Sequence, residues 1–444
     1  MQHIKHYSLG LLVVFALLLG ALVSAQPALA MTGDGTSAHP YQIATADDLI
    51  EFAEKVNSYD PSNPYSEAEE RNAWAELRDD IDLEGTEWTR IGSSDINYNL
   101  EYIGTFDGNN HTISGLSINT SSTSDEYFGL FGAVGEGGTV KDLTVEGNIN
   151  IDSEYEVNAG GVVGENASNV SNCTSEVAFT VEGVYAYIGG IIGSNAGNVS
   201  NCTHKAAITV TADTAYIGGV IGFNGGSLTN CSNSGAVEGT GQTANGAYVG
   251  GIVGSNNHTE SVMGSVENCY NTGTVTATGS NAVAGGVMGV NLNTVNSCYN
   301  TGAVTGTTAG GVIGTNYWHG DYYTTPGNVN SCYNTGKVTA PSEGATIGGV
   351  VGANSNGSTS GTVNGCYYLE DTAKLAIGDG SGTVENDASK TTEEFASGEV
   401  AWLLQDALGE NADQAWGQKL SGETPDEYPV LTSDTSKKVY QVTF

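Results

Sequence analysis

The sequence predicts an all-β fold: a right-handed parallel β-helix (a solenoid) with short helical caps at both ends. Three observations predict it. A pentapeptide recurs seven times, as GGVVG at 160–164, GGIIG at 189–193, GGVIG at 218–222, GGIVG at 250–254, GGVMG at 285–289, GGVIG at 310–314 and GGVVG at 348–352. An asparagine stands two residues after each copy, at Asn166, Asn195, Asn224, Asn256, Asn291, Asn316 and Asn354. One cysteine follows each asparagine (Cys173, Cys202, Cys231, Cys269, Cys298, Cys332, Cys366), so all seven cysteines occupy one position of the repeat. Self-similarity at a period of 20–50 residues marks an array whose units bury their apolar faces only against one another.

The chain opens with Lys5, an apolar run from Leu9 to Val23, and the small-residue site Ala28-Leu29-Ala30. This order is that of a secretory signal peptide over residues 1–30, cleaved after Ala30. No later segment is predicted to insert in a membrane, because Gly, Asn, Ser and Thr interrupt every apolar stretch. Residues 31–125 are read as an N-terminal cap and leading coils, where Thr45 is placed to N-cap a helix over 46–56. Leu49, Ile50, Phe52, Ala53 and Val56 approximate its apolar face.

Residues 126–370 form the repeat body, with a basic length of 29 residues between Gly160, Gly189 and Gly218. Short β-rich runs broken by Gly and Asn, without helical periodicity, make each copy one coil of strands and turns. Parallel crossovers are overwhelmingly right-handed. Equivalent residues of adjacent coils then lie about 4.8 Å apart, so like stacks on like. The Val/Ile pair supplies an apolar ladder, and its glycines allow close passage or positive φ. The asparagine is expected at a turn, in the left-handed region, bonding neighbouring amides. The cysteines are expected as an inert buried ladder, because stacked side chains point in parallel and suit a disulfide torsion poorly. Tyr270, Tyr299, Tyr333 and Tyr367, each after a cysteine, read as a second stacked ladder.

Residues 371–436 are read as a C-terminal cap. Thr391 and Glu394 fit a capping box ahead of a helix from Phe395 to Leu408, and Trp416 with 428–431 reads as a closing strand. The tail 437–444, KKVYQVTF, is strand-like and reads either as a docked strand or as the start of a further module.

With 13 Lys and Arg against 50 Asp and Glu, the formal net charge is −37. Such a polyanion repels nucleic acid and anionic lipid, which excludes both as partners. Carboxylates concentrate near the two ends, whereas no Lys or Arg occurs between Ala206 and Gly336. A solvated surface accounts for the charge better than calcium binding.

Gly129-Leu130-Phe131-Gly132 and the GGxxG series resemble the GLUG repeat of bacterial cell-surface proteins, also present in IgA-specific metallopeptidases. The segments 33–56, 81–92 and 104–118 are similar to the cap and first coils that lead into such repeats, so the likeness runs from about Gly33 to Leu431. The resemblance implies a right-handed β-helix in a secreted, cell-surface or cell-wall setting, and no catalytic residue. The peptidases' HExxH zinc helix has no counterpart here, since none of His39, His111, His204, His258 or His319 precedes a Glu. No CxxC or Cys/His pair stands at ligand spacing, so neither metal nor cofactor is expected.

The Asn-to-Cys spacing is 7 residues in four copies, but 13 after Asn256, 16 after Asn316 and 12 after Asn354. Insertions at one corner of the coil gather along one edge of the stack, which in repeat proteins is often the binding face. The longest supplies Tyr317, Trp318, His319, Asp321, Tyr322 and Tyr323 as ligand-contact candidates, aromatics with an acid that suit a glycan or a host or extracellular protein. A folded-back loop is the plainer alternative. An enzyme of the polysaccharide lyase or glycosidase type would need paired carboxylates, and Glu260 with Glu267, or His319 with Asp321, are the only candidates in the central body. We therefore expect a non-enzymatic adhesin-like module, with a structural stalk as the competing reading.

Overall fold

The computed structural model describes residues 31–58, 70–95, 98–122, 124, 126–257, 264–316, 327–354, 360–380, 388–409 and 413–439. The signal-peptide reading of 1–30 and the tail residues 440–444 lie outside the described residues. The chain winds into a parallel β-solenoid of about nine turns. Each turn gives one strand to a nine-stranded sheet, and the remaining strands of the stack form a 29-stranded sheet. Register follows the repeat: Gly160 pairs with Gly189, Gly189 with Gly218, and Asn195 with Asn224.

Side chains alternate along each long strand. In Thr174–Gly189, Val177, Phe179 and Val181 point into the core while Thr180 and Glu182 face solvent. The GGxxG pair fills the interior as predicted: Val162 and Val163, and their partners up to Val350 and Val351, are fully buried. Each such side chain contributes about 1.5–3 kcal/mol by leaving water.

The glycines serve close passage, without positive φ. A Cβ on Gly251 would stand 2.1 Å from Gly286 O and 2.4 Å from the amide carbon of Asn271. The left-handed residue of each coil is the one before the cysteine, at φ 51–56° from Asn172 through Asn201, Asn230, Asn268, Ser297, Ser331 and Gly365. This corrects the expectation for the repeat asparagine, which instead ends a strand with its amide turned inward (Val163–Asn166, Ile192–Asn195).

The seven thiols are buried and unbridged. Cys202 N–H donates to Cys231 Sγ at 3.2 Å, and the same contact recurs at 3.4 Å from Cys231 to Cys269, Cys269 to Cys298 and Cys298 to Cys332. Burial holds the Cys231, Cys298 and Cys366 thiols well above their ordinary pKa, which keeps them protonated and unreactive.

The N-terminal helix α1 (Ala46–Val56) starts at Thr45 in a capping box with Asp48 and buries Leu49, Phe52, Ala53 and Val56. Ile50 stays 36% exposed. Phe52 sets its ring against Tyr102 and Phe106, at 5.9 Å from each, and so joins the helix to the core of the first turns.

The C-terminal segment departs from the expected cap in two ways. Its helix is split into α2 (Thr392–Ala396) and α3 (Glu399–Ala407) by Gly398, whose φ of 88° no ordinary helix accommodates. The segment also does more than close the end. After Ser389–Lys390 pairs with the last coil at Tyr368–Leu369, the chain runs back along the flank of the stack. There Phe395, Val400, Leu404 and Trp416 pack on Tyr333. Trp416 Nε1 donates to Ser331 Oγ at 2.7 Å, Ser331 Oγ donates to Leu404 O at 2.7 Å, and Tyr333 Oη donates to Pro429 O at 2.7 Å. The closing strand is present, as Trp416–Gly417 antiparallel to Val430–Leu431.

One interior column breaks type. Two residues after each cysteine stand Ser175, His204, Asn233, Asn271, Asn300, Asn334 and Tyr368, all buried. His204 holds Ser175 Oγ at 3.3 Å through Nδ1, while its Nε2 has no partner among the described residues. Burial lowers its pKa from 6.5 to about 4, opposed weakly by backbone groups at Ala206 and Ser175 and by the charge of Glu176. The unfolded chain therefore binds a proton near pH 6.5 that the folded chain refuses until about pH 4. This contribution to stability is complete above pH 6.5 and is lost as pH falls through that window, to a total of about 3 kcal/mol. His204→Asn restores the residue of the next four coils. We expect the difference in unfolding free energy between variant and wild type to grow as pH falls from 6.5 to 4, measured by urea titration; a constant difference would contradict the assignment.

Candidate functional site

The insertion edge is built on the column of repeat asparagines. Asn166, Asn195, Asn224, Asn256, Asn291 and Asn316 each donate from Nδ2 to Oδ1 of the next asparagine, at 2.8–3.1 Å. In uninterrupted coils the same Nδ2 also reaches the carbonyl two residues on, as Asn195 does to Gly197 O at 3.2 Å and Asn291 to Asn293 O at 3.0 Å. All seven asparagine side chains are buried, where an unpaired amide would cost about 1–3 kcal/mol.

Insertions leave this arrangement intact. Asn316 Nδ2 bonds Gly327 O at 2.9 Å and Asn354 Nδ2 bonds Gly361 O at 2.9 Å, so the residue after the insertion supplies the carbonyl of an uninterrupted coil. In the Asn256 coil, Gly264 N–H closes on Asn257 O at 3.3 Å. Register resumes at once: Ser265 pairs with Ser227, Asn328 with Thr294, and Thr362 with Asn328. The three insertions thus begin and end at one corner of the solenoid. The candidates Tyr317, Trp318, His319, Asp321, Tyr322 and Tyr323 themselves lie outside the described residues, as does Glu260. Glu267 lies on the strand Ser265–Glu267 and accepts a bond from Asn296 Nδ2 at 3.2 Å.

The tyrosines after the cysteines stack as expected. Tyr270 and Tyr299 lie 4.9 Å apart at 4°, Tyr299 and Tyr333 5.0 Å apart at 0°, and Tyr333 pairs with Tyr367. Earlier coils carry Thr203 and Ser232 at this position. Tyrosine enters where the C-terminal segment covers the flank: Trp416 sits 6.1 Å from Tyr299 and 5.5 Å from Tyr333.

A second tyrosine stack, with Tyr216 buried at its centre, escaped the sequence reading. Tyr187, Tyr216 and Tyr248 lie 5.3 and 5.1 Å apart, nearly parallel, with Tyr185 and Phe223 edge-on or tilted against them. Its signal was present in AYIGG at 186–190, AYIGG at 215–219 and AYVGG at 247–251. Near the N-terminus a cleft of about 400 Å³ is lined by Glu87, Trp88, Arg90, Glu126 and Phe128. Arg90 there is already committed, at 2.8 Å to Glu126 and over the Phe128 ring.

The family model of the GLUG motif matches residues 213–238 and 245–276. The chain carries GLUG motifs. The matched stretch covers two of the seven copies, and the structure stacks all seven in the same register. A protein of Evansella cellulosilytica described as a Gly-rich membrane protein is 30% identical over 151 residues, 33% of this chain and 15% of the relative. Halomucin of Haloquadratum walsbyi is 33% identical over 149 residues, 32% of this chain and 1% of halomucin. This chain therefore spans only a small part of either relative. Among solved structures, a protein of Bacteroides ovatus described as an immunoglobulin A1 protease aligns over 90% of this chain and 95% of its own, at 18% identity and a TM-score of 0.36. An IgA1 protease aligns over 90% of this chain and 26% of its own, at 14% identity and a TM-score of 0.39. No helix among the described residues is long and apolar enough to cross a membrane.

The asparagine column predicts a steep cost for interruption. Asn291→Ala takes their bonds to Asn291 from Asn256 Nδ2, Asn316 Oδ1 and the Asn293 N–H, while Asn293 O keeps its bond from Asn328 N–H. We expect a loss of about 3 kcal/mol or more in denaturant titration, against less than about 1 kcal/mol for substitution of the exposed Asn198.

Proposed function

We propose that this chain is a secreted, cell-surface GLUG solenoid that acts without catalysis and binds a glycan or a host or matrix protein along its insertion edge. One observation carries the reading. Three insertions spring from the same corner of nearby coils, two closed at the base by the amides of Asn316 and Asn354 and the third by Gly264 N–H on Asn257 O. A rigid scaffold with loops at one place fixes their spacing along the axis, which limits the entropy lost when several segments engage one extended ligand. The net charge of −37 turns the choice of ligand away from nucleic acid and anionic surfaces. A stiff spacer is the second reading, favoured by the register that persists through every insertion.

The test replaces residues 317–326 by one alanine. The resulting Asn-Ala-Gly matches Asn195-Ala196-Gly197 and restores the seven-residue spacing of the uninterrupted coils. We expect the thermal transition to shift by no more than about 2 °C, and binding to glycan and extracellular-protein arrays to be lost. Undiminished binding by the variant would refute the edge assignment, and a wild-type chain without array ligands would leave the spacer. Release of reducing ends from any acidic polysaccharide would refute the non-catalytic reading.

A further inference from the structure

The tyrosine ladder stops abruptly. Tyr270 has one face on Tyr299 at 4.9 Å, while its partner in the preceding coil is Ser232, which carries no ring. Beside this step the returning C-terminal segment leaves a cleft of about 570 Å³, within the range of ~300–1,000 Å³ usual for small-ligand sites. It is lined from the solenoid by Asn230, Asn268 and Tyr270, and from the C-terminal segment by Gln414, Thr432 and Ser433 among others. Among the described residues, none that lines it is charged.

The polar groups around the step are unsatisfied in one direction. Gln414 donates from Nε2 to Trp416 O at 3.1 Å, and its buried Oε1 has no partner among the described residues. Asn230 and Asn268 hold the left-handed corners before Cys231 and Cys269. In the coils before them the same position forms a chain, with Asn201 Nδ2 on Asn172 Oδ1 at 3.1 Å and Asn172 Nδ2 on Asp142 Oδ1 at 2.7 Å. The chain ends at Asn201, which leaves the Asn230 and Asn268 amides facing the cleft without that bond.

We infer that this cleft binds a neutral sugar ring, stacked on the open face of Tyr270 as the next member of the tyrosine ladder. The chemistry matches at three points. An aromatic face attracts the apolar face of a pyranose. Sugar hydroxyls both donate and accept, so they can bond the cleft-lining amides of Asn230 and Asn268, and reach Gln414 Oε1 once that side chain turns toward the cleft. The neutral lining on a polyanionic chain selects against uronic and sialic acids. The site uses none of the insertion residues and stands apart from the edge proposed above.

Isothermal titration of the chain with glucose, galactose, N-acetylglucosamine, cellobiose and galacturonate tests the inference. We expect saturable binding of at least one neutral sugar and none of galacturonate. Tyr270→Ser, which installs the residue of the preceding coil, should weaken that binding by at least about tenfold while Tyr270→Phe keeps it within about threefold. Gln414→Leu should weaken it as well, and it serves as the readout should Tyr270→Ser fail to fold. Replacing 317–326 should leave this binding unchanged, which separates the two sites. No neutral sugar bound at millimolar concentration, equal binding of galacturonate, or binding indifferent to both Tyr270→Ser and Gln414→Leu would overturn the inference.

Discussion

Buried amides hold this solenoid in register. An interior repeat asparagine such as Asn195 spends its Nδ2 hydrogens on the next coil and on a carbonyl of its own turn, while its oxygen receives from the coil before and from a backbone N–H. A second column, Asn233 to Asn334, repeats the device against the second Gly of each pair, with Nδ2 bonds of 2.8–2.9 Å between coils. Apolar ladders of Val and Ile tolerate sliding, because one branched side chain resembles another. An amide does not: a slipped coil would set it against a methyl group and strand both partners in a dry interior. The hydrophobic columns therefore supply most of the driving force, and the amides supply the register.

The same columns explain the glycines. The second Gly of each pair lies directly against the column after the cysteine, meeting Ser175, His204, Asn233, Asn271, Asn300, Asn334 and Tyr368 in turn. Only a residue without Cβ lets those side chains lie flat on the backbone. Larger members at the column's ends, His204 near the start and Tyr368 at the last coil, are accommodated because the facing residue is glycine throughout. His204 is the exception with a cost, since its second nitrogen finds no partner among the described residues.

The C-terminal segment gives the array its asymmetry. A plain solenoid would have equivalent flanks from end to end, yet tyrosine replaces Thr and Ser after the cysteine only in the later coils. Those rings form the floor on which Trp416, Phe395 and Leu404 pack, so the segment is bound to several coils at once. The described residues of the flank it leaves between Asn230 and Ser433 carry no charge, unlike the acidic ends of the molecule.

Much of the architecture could be read from one chain because stacking places equal residues on equal residues. Seven cysteines at one repeat position imply a column, and the 29-residue period implies its partners; both follow from spacing alone. The helix at Ala46–Val56 was legible from Thr45 and its apolar face, and the tyrosine ladder from CYNTG. Three things were not. The repeat asparagine looked like a turn residue, because sequence gives its frequency beside glycine but not the direction of its amide. The left-handed position was obscured where Ser297 and Ser331 replace asparagine. The return of the C-terminal segment along the flank depends on Gly398 breaking the helix and on Trp416 finding Ser331 across 85 residues of chain, a non-local pairing that no periodicity encodes. Repetition writes the axis and the columns into the sequence. What lies against the flank, and hence where a ligand can enter, is decided only when distant segments meet.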